Sequence, residues 1–230
     1  MEVVILCGGK GTRLSEYTVS IPKPMIEVGK KPILMHLMEF YASYGHKDFI
    51  LCLGYKGEKI KEFFKDKKDW NIEFVDTGED SNKAERLMKV KDKIKDDTFL
   101  VSYGDDLSDV NVNKVIEFHK EKNKIVTLTA VPLISPFGIL ELNKNLEVTE
   151  FKEKPTLKEL MNGGFYVMKK EIFDHIKPGL DLEKEIFEEL AKQNQIAAFK
   201  HEGFWKSMNT LKDAIELNEL HDKGDTPWIR

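Results

Sequence analysis

Apolar positions along the chain follow two different spacings. Short continuous apolar runs, such as residues 3–7 and 98–103, are typical of buried strands, whereas apolar residues three or four positions apart, as in residues 32–44, favour helices. The predicted strands cover residues 3–7, 48–54, 71–75, 98–103, 124–132, 138–142, 148–151, 164–168 and 196–200. The predicted helices cover residues 32–44, 57–64, 86–95, 111–122, 181–193 and 210–223.

This order of elements indicates the fold class. Strands that alternate with helices predict an α/β domain with a mixed, mostly parallel sheet flanked by helices. The closely spaced strands at residues 138–142, 148–151 and 164–168 predict a small antiparallel insertion. The sequence has neither repeats nor low-complexity linkers. We therefore expect a single domain over residues 1–230, with a helical tail at about 210–230.

Three loops are expected to form the ligand site. In sheets of this kind, ligands bind beside the carboxyl ends of the strands. The loops at residues 8–13, 77–85 and 104–106 each follow a predicted strand. They should therefore meet in one cleft.

Composition and charge exclude several classes of partner. A content of 41% hydrophobic and 33% charged residues is ordinary for a soluble globular protein. The net charge of −4 gives no attraction to nucleic acid or to an anionic membrane, so neither is expected as a partner. Cys7 and Cys52 lie in apolar strands and are predicted to be buried, reduced thiols. With no signal peptide and no apolar run long enough to span a membrane, we expect a cytoplasmic protein.

A glycine-rich loop follows the first predicted strand. Gly8, Gly9 and Gly11 allow backbone N–H groups to approach a ligand closely, and Arg13 adds a forked cation suited to phosphate oxygens. The spacing Gly-Gly-x-Gly-x-Arg matches neither the dinucleotide fingerprint nor the Walker A loop. The loop therefore predicts a phosphate site of unspecified purpose, with a plain turn as the alternative.

Two further positions have chemistry that suits phosphate. Pro22 and Pro24 restrain the backbone around Lys23, so less freedom is lost when its ammonium points at a ligand. Asp105 follows a buried strand and Gly104, where a carboxylate beside polyphosphate would serve as a magnesium ligand. Taken singly, each is more typical of a surface turn or a helix cap than of a ligand site.

Taken together and in order, these motifs carry a family resemblance. The set Gly-Gly-x-Gly-x-Arg, Pro-Lys-Pro, Tyr-Gly-Asp, Glu-Lys-Pro and Asn-Gly-Gly-Phe resembles the sugar-phosphate nucleotidyltransferases, and among them the glucose-1-phosphate cytidylyltransferases. The resemblance implies a Rossmann-like fold of the nucleotide-diphospho-sugar transferase type. It also implies an Mg²⁺-dependent enzyme that joins CTP to a phosphorylated small-molecule acceptor, first of all a sugar 1-phosphate such as glucose 1-phosphate. Pyrophosphate would be released, and the pathway would be surface polysaccharide (capsule or O-antigen) biosynthesis.

The resemblance also assigns roles to residues by motif. Arg13 and Lys23 would be catalytic, and Asp105 and Asn209 would bind the metal ion. The nucleotide would be bound by Leu6, Gly8, Gly9, Gly11, Thr12, Arg13, Ala84 and Gly104. The acceptor would be bound by Glu85, Gly138, Glu153, Lys154, Gly164 and Trp205.

Departures from the family pattern leave two alternatives open. Asn209 stands where the family commonly has an aspartate, so metal binding should weaken, and a catalytically weak nucleotide-binding regulator is one alternative. Ala84 and Glu85 replace two glycines, and Pro136 replaces an arginine, which alters the acceptor side. The second alternative is therefore a non-sugar acceptor such as phosphoglutamine, whose ammonium group Glu85 or Glu153 would receive. A homo-oligomer is compatible with the sequence.

Overall fold

The computed structural model describes residues 1–229, except the side chains of Ser15 and Glu16. The strands are β1 (Val3–Leu6), β2 (Glu27–Val28), β3 (Lys31–Pro32), β4 (Asp48–Leu53), β5 (Asn71–Asp76), β6 (Thr98–Tyr103), β7 (Asp106–Ser108), β8 (Val126–Ile134), β9 (Ile139–Leu142), β10 (Val148–Lys152), β11 (Thr156–Lys169), β12 (Ile196–Lys200) and β13 (Trp205–Ser207). The helices are α1 (Ser15–Thr18), α2 (Ile33–Ser43), α3 (Gly57–Phe64), α4 (Lys83–Val90), α5 (Val112–Lys122), α6 (Glu188–Lys192) and α7 (Leu211–Asp222). A π-helical turn, Leu182–Phe187, leads directly into α6.

A seven-stranded sheet forms the centre, in the order β12-β8-β11-β6-β1-β4-β5. Strands β6, β1, β4 and β5 are parallel neighbours, and β12 is parallel to β8. Strand β11 is antiparallel to both β6 and β8. The predicted α/β class with a mixed, mostly parallel sheet flanked by helices is confirmed. Of the three strands predicted for the small antiparallel insertion, those at 138–142 and 148–151 form the hairpin β9–β10. The third, at 164–168, instead belongs to β11 of the central sheet.

The strand predicted at 164–168 is longer than expected, since β11 begins at Thr156. A second difference lies before α4. The sequence pattern predicts a polar loop to residue 85 and a helix from 86 to 95, but the helix begins at Lys83 and ends at Val90. Asn82 and Glu85 form a capping box, in which each side chain accepts the backbone N–H of the other, and this begins the helix three residues earlier. The short pair β7–β13 has too few residues to show a strand period and was missed by the pattern.

Alternate residues of β1 pack on opposite faces of the sheet. Val3 and Ile5 belong to a hydrophobic cluster with α2, α3 and α5, whereas Val4 and Leu6 belong to a second one with α4 and α6. A third cluster joins α7 and the fully buried Trp228 to β2 and the start of α2. Both cysteines are buried free thiols, as predicted, and burial raises the pKa of Cys7 to about 12. Within residues 1–229, no helix is long and apolar enough to cross a membrane.

The side chain of Arg86, from α4, ties three loops at the carboxyl ends of the strands to one another. It is only 4% exposed, and burial lowers its pKa. Its guanidinium donates to the carbonyl oxygens of Gly8, Leu53, Gly78 and Glu79 and to the hydroxyl of Thr77, at 2.7 to 3.2 Å. A Cβ atom on Gly8 would lie 2.1 Å from Nη1, so this contact requires glycine there. The loops are thereby fixed relative to one another.

Replacing Arg86 should destabilise the protein strongly. Arg86→Lys keeps the charge but cannot reach acceptors in three loops, which leaves buried carbonyl groups without donors. We expect the free energy of unfolding to fall by about 3 kcal/mol or more, measured by urea denaturation. Lys89→Met is the matched control, because Lys89 bonds only to the outer side of one of these loops, at Thr77 and Ser81. Equal losses in the two variants would contradict this role.

The stability should also depend on pH through His119. This buried residue of α5 contacts the hydroxyl of Thr127 at 2.8 Å, and burial lowers its pKa from 6.5 to about 4. The unfolded chain therefore binds the extra proton first, and the free energy of unfolding should fall as the pH drops from about 6.5 to about 4. Urea midpoints measured across this range should fall less in His119→Asn than in the unmodified chain. Identical pH dependence in the two proteins would refute the assignment.

Candidate active site

The loops that Arg86 joins border a cleft of about 730 Å³ at the carboxyl ends of the strands. Its walls come from the glycine-rich loop after β1, from the region between β5 and α4, and from the residues that follow β6. Strand β13, the residue pair at Lys23 and Pro24, and the single residues Asn162, Asp181 and Asn209 also line the cleft. The predicted convergence of the three loops on one cleft is therefore observed.

The structure brings together the predicted residues of the nucleotide side and the metal site. The cleft is lined by Leu6, Gly8, Gly9, Gly11, Thr12, Arg13, Lys23, Asp105, Trp205 and Asn209. The predicted residues outside its lining are Ala84, Glu85, Gly104, Gly138, Glu153, Lys154 and Gly164. Most of the second group had been assigned to the acceptor.

The glycine-rich loop is open toward the cleft. A Cβ atom on Gly9 would meet no atom within 4 Å, so the backbone there is accessible to a ligand. Gly11 has a φ of +62°, and a Cβ atom there would lie 2.9 Å from Thr18 and 3.0 Å from Lys23. Glycine is therefore needed at position 11 for the loop to turn back against Lys23. Arg13 follows in a 3₁₀ turn and is exposed at the cleft.

The chain that continues from this loop to Thr18 and Val19 is bonded to the segment after β4. The hydroxyl of Tyr55 donates to the carbonyl of Thr18 at 2.9 Å, and the ammonium of Lys56 donates to the carbonyls of Thr18 and Val19. The hydroxyl of Thr18 in turn donates to the carbonyl of Gly11 at 3.3 Å. These bonds connect both ends of the segment that carries Arg13.

Lys23 lies at the centre of the polar groups in the cleft. It begins a 3₁₀ turn after Pro22, whose extended backbone leads into it. Its ammonium bonds to the Asp105 carboxylate and to Oδ1 of Asn209, the latter at 3.1 Å. Lys23 and Asp105 side chains are 13% and 18% exposed, so the ion pair is largely shielded from water. Two oxygen atoms from distant parts of the chain thus converge on one cation.

Hydrogen bonds fix the orientation of Asn209. Its Nδ2 donates to the hydroxyl of Ser207 at 2.9 Å, and its backbone N–H donates to Asp213 at 3.0 Å. Its Oδ1 is therefore turned toward Lys23. An aspartate at this position would have no donor for Ser207, so the asparagine is integrated into the local bonding.

A second carboxylate, Asp106, lies beside the first. It is 3% exposed, and burial together with the nearby charge of Asp105 raises its pKa well above the usual value. Gly164 packs against it, since a Cβ atom there would lie 2.4 Å from Asp106 Oδ2. Gly164 therefore shapes the wall behind Asp106 rather than the surface of the cleft.

A chain of hydrogen bonds that sequence reasoning missed runs along the cleft wall at Lys83, Tyr103 and Asn162. Lys83 Nζ pairs with Glu183 Oε1 at 2.5 Å, and the hydroxyl of Tyr103 bonds to the same carboxylate. Tyr103 continues to the hydroxyl of Tyr166 at 2.8 Å, which accepts from Asn162 Nδ2 at 2.6 Å. Burial raises the pKa of both tyrosines, so their hydroxyl groups remain protonated donors.

Two expectations for the acceptor side are not met. The Glu85 carboxylate accepts the backbone N–H of Asn82 at 3.0 Å, so it caps its own helix instead of facing a ligand. Ala84 belongs to α4 and is fully buried in the core between that helix and the sheet, so its methyl group does not narrow the cleft. A glutamate three residues after asparagine is the signature of a capping box, and that signal was present in the sequence.

Gly138, Glu153 and Lys154 lie on the β9–β10 hairpin or at its base. The Glu153 and Lys154 side chains are 62% and 54% exposed, and their charged atoms lie 3.8 Å apart. Trp205 does line the cleft, with its indole N–H donating to the carbonyl of Gly163 at 2.6 Å. An acceptor role for the hairpin residues stays a prediction.

Other lining residues had no assigned role. Lys83 and Arg86 flank Ala84 and Glu85, the two positions to which the sequence analysis gave roles. Asp181 caps the π-helical turn. Arg86 falls inside a predicted helix, and a basic residue there gives no sign that it will be buried. Only the strand order shows that its side chain points at three loops.

Comparison with known proteins identifies the family of the chain. The family model described as "Nucleotidyl transferase" matches residues 2–223. The chain is 42% identical to a glucose-1-phosphate cytidylyltransferase of Salmonella typhimurium, over 99% of this chain and 98% of that protein. It is 40% identical to a probable glucose-1-phosphate cytidylyltransferase of Bacillus subtilis, over 99% of both chains.

A solved structure supports the fold over almost the whole length. The crystal structure of HddC from Yersinia pseudotuberculosis superposes with a TM-score of 0.76 at 25% identity, and covers 96% of this chain and 99% of that one. The sequence matches and the shared fold agree with the Rossmann-like type that the motifs imply. The chain belongs to the nucleotidyl transferase family, is similar to the glucose-1-phosphate cytidylyltransferases within it, and is an enzyme that transfers nucleotidyl groups.

Proposed function

We propose that this enzyme transfers the cytidylyl group of CTP to the phosphate of a small-molecule acceptor, with a sugar 1-phosphate such as glucose 1-phosphate as the first candidate. The products would be a CDP-linked compound and pyrophosphate, made in the cytoplasm for surface polysaccharide. CTP and glucose 1-phosphate are suggested by the names of the relatives that match almost the full chain. The observation that carries the proposal is the position of the Lys23 ammonium. It is bonded to one oxygen atom of Asp105 and one of Asn209, and it faces the glycine-rich loop.

The chemistry requires positioning and charge stabilisation rather than a protein nucleophile. An oxygen of the acceptor phosphate attacks the α-phosphorus of CTP, and the bond from that phosphorus to the β-phosphate oxygen breaks, which releases pyrophosphate. Lys23 would bind the phosphates at the reacting centre, and Arg13 would hold the triphosphate and stabilise the leaving pyrophosphate. The exposed backbone at Gly9 would donate N–H groups to the same phosphates.

The residues around Lys23 fit a magnesium ion. Asp105 and Asn209 offer one carboxylate and one amide oxygen that already converge on a single cation. Magnesium is usually held by one or two such protein oxygens together with substrate phosphates. Among the described residues, no group of three or more His, Cys, Asp or Glu side chains forms a complete metal site, which agrees with a cation brought by the nucleotide. When bound, the ion would neutralise charge on the phosphates, and Lys23 would be released toward them.

The acceptor would enter on the side of the Tyr103–Glu183 wall. Its polar groups are Lys83, Asn162 and Asp181, which line the cleft there. A non-sugar acceptor such as a phosphorylated amino acid remains the alternative. Because the Glu85 carboxylate is already paired within its own helix, recognition of an ammonium would have to come from another carboxylate, such as Asp181 in the cleft lining or Glu153 at the base of the hairpin.

A pyrophosphate-release screen tests the proposal. The four ribonucleoside triphosphates are each combined with sugar 1-phosphates, polyol phosphates and phosphorylated amino acids in the presence of Mg²⁺. We expect CTP with a sugar 1-phosphate to give the highest rate, because of the relatives that the chain matches. Lys23→Met should lower that rate by about 100-fold or more, whereas Lys158→Met, an exposed lysine outside the cleft, should leave it unchanged.

Each result of the screen has a distinct meaning. Turnover of CTP only with a non-sugar phosphate would replace the acceptor and keep the reaction. Preference for another base would overturn the choice of CTP. A folded protein that binds CTP but releases no pyrophosphate with any acceptor would instead identify a nucleotide-binding regulator.

Restoring a carboxylate at position 209 should strengthen metal binding. Asn209→Asp adds a negative charge at the point where Oδ1 already faces Lys23. We expect the Mg²⁺ concentration for half-maximal CTP binding, measured by calorimetry without acceptor, to fall at least about threefold. Glu216→Gln provides a control, because it removes a carboxylate of the neighbouring helix α7 whose partners are Lys206 and Lys212. An unchanged Mg²⁺ requirement in Asn209→Asp would argue against a metal site here.

A further inference from the structure

Helix α7 and the chain end that follows it connect the two sides of the contact between Lys23 and Asn209. Asn209 closely precedes α7, whereas Lys23 leads through a 3₁₀ turn into the β2–β3 hairpin. The two residues are 186 positions apart along the chain, yet Lys23 Nζ and Asn209 Oδ1 lie 3.1 Å from each other. The loops that Arg86 joins include neither residue. Another part of the structure must therefore set the distance between them.

Asn218, in the second half of α7, binds the backbone of the β2–β3 hairpin. Its Oδ1 accepts the N–H of Gly29 at 2.8 Å, and its Nδ2 donates to the carbonyl of Glu27 at 3.1 Å. Gly29 has a φ of +64°, and a Cβ atom there would lie 2.4 Å from the ring of His221, so the turn of the hairpin packs directly on α7. A side-chain amide offers an acceptor and a donor at once, which neither a leucine nor an ionised aspartate can do. Asn218 is thus chemically matched to this turn.

Trp228, after α7, makes a second connection to the same hairpin. Its side chain is buried, and its indole N–H donates to Nδ1 of His36 at 3.4 Å. Because an indole nitrogen only donates, Nδ1 of His36 is the acceptor, and its Nε2 carries the proton and donates to the carbonyl of Val28 at 2.9 Å. Burial lowers the pKa of His36, which agrees with this neutral form. The chain end is therefore bonded to β2 through one histidine.

The hydrophobic cluster that contains Trp228 reaches both sides of the Lys23–Asn209 contact. Its members include Ile26, three residues after Lys23, and Met208, next to Asn209. Both are buried. Protein interiors are closely packed and transmit displacements. A shift of Trp228 would therefore move the backbone on both sides of the contact.

We propose that Asn218 and Trp228 are positioning residues, which set the distance between Lys23 and Asn209. In the described part of the chain, neither of them lines the cleft. The distance is a property of the fold, whereas its effect on magnesium binding rests on the proposed function. A displacement of about 1 Å at a reacting group can lower a rate by about 100-fold, so side chains that touch no substrate can still control turnover.

Hydrogen exchange followed by mass spectrometry tests these connections without any ligand. Asn218→Leu keeps the size of the side chain and removes both bonds to the hairpin. We expect the backbone amides of residues 23–29 and 207–211 to exchange at least about fivefold faster, and those of β6 to keep their rates. Trp228→Phe keeps a ring but removes the indole N–H, and should also speed exchange in residues 23–29. Unchanged exchange in both segments would overturn the proposal.

The Mg²⁺ concentration for half-maximal CTP binding, measured by calorimetry without acceptor, tests the effect on the metal site. Asn218→Leu should raise it at least about threefold. In a chain that carries Asn209→Ala, Asn218→Leu should have no further effect, because the ligand that it positions is gone. Ile94→Val is the matched control, a core substitution of similar cost that lies before β6, away from the carboxyl ends of the strands. It should leave the Mg²⁺ requirement unchanged.

The results separate this inference from the proposed function. An unmodified chain that binds no CTP in the presence of Mg²⁺ would refute the proposed function, and hydrogen exchange would still decide whether Asn218 and Trp228 hold the two segments. Equal effects of Asn218→Leu with and without Asn209→Ala would show that Asn218 acts on stability alone, which would overturn the proposal. Thermal melting monitors folding, and Trp228→Phe provides the same measurements if Asn218→Leu does not fold.

Discussion

The guanidinium of Arg86 is the contact on which the arrangement of the cleft depends. Loops at the carboxyl ends of parallel strands expose carbonyl groups that the sheet does not pair, and burying them without donors is costly. One planar, always charged side chain supplies donors to the loops after β1, β4 and β5 together. The glycine-rich loop and the loop before α4 therefore keep a fixed separation, which a nucleotide site requires.

Lysine–carboxylate pairs distinguish this cleft from an anion site that contains only positive charges. Lys10, Lys23 and Lys83 each face a carboxylate, those of Asp80, Asp105 and Glu183 respectively. The first pair is exposed and contributes little, whereas the Lys23 pair is shielded from water. Under the proposed function, phosphate groups and a divalent cation would exchange partners with Lys23 and Asp105. Asn209 then lowers the negative charge of the site without removing the oxygen ligand.

Two surfaces of different character thus lie on one sheet framework. The cleft is polar, and its carbonyl groups are bonded by Arg86, whereas the hairpin is apolar on one face and packs mainly on itself. The motif that predicts Glu153 and Lys154 as acceptor residues lies at the base of that hairpin, outside the cleft lining.

The sequence by itself determined the α/β class, most element positions and the nucleotide side of the cleft. Hydrophobic spacing and glycine or proline chemistry are local properties, so Gly9, Gly11 and Lys23 could be chosen from their immediate neighbours. The tertiary structure alone decided that Arg86 is buried among three loops. It also decided that Tyr103, Glu183 and Asn162 share one wall. These contacts join residues far apart along the chain, and only strand order and register bring their side chains together.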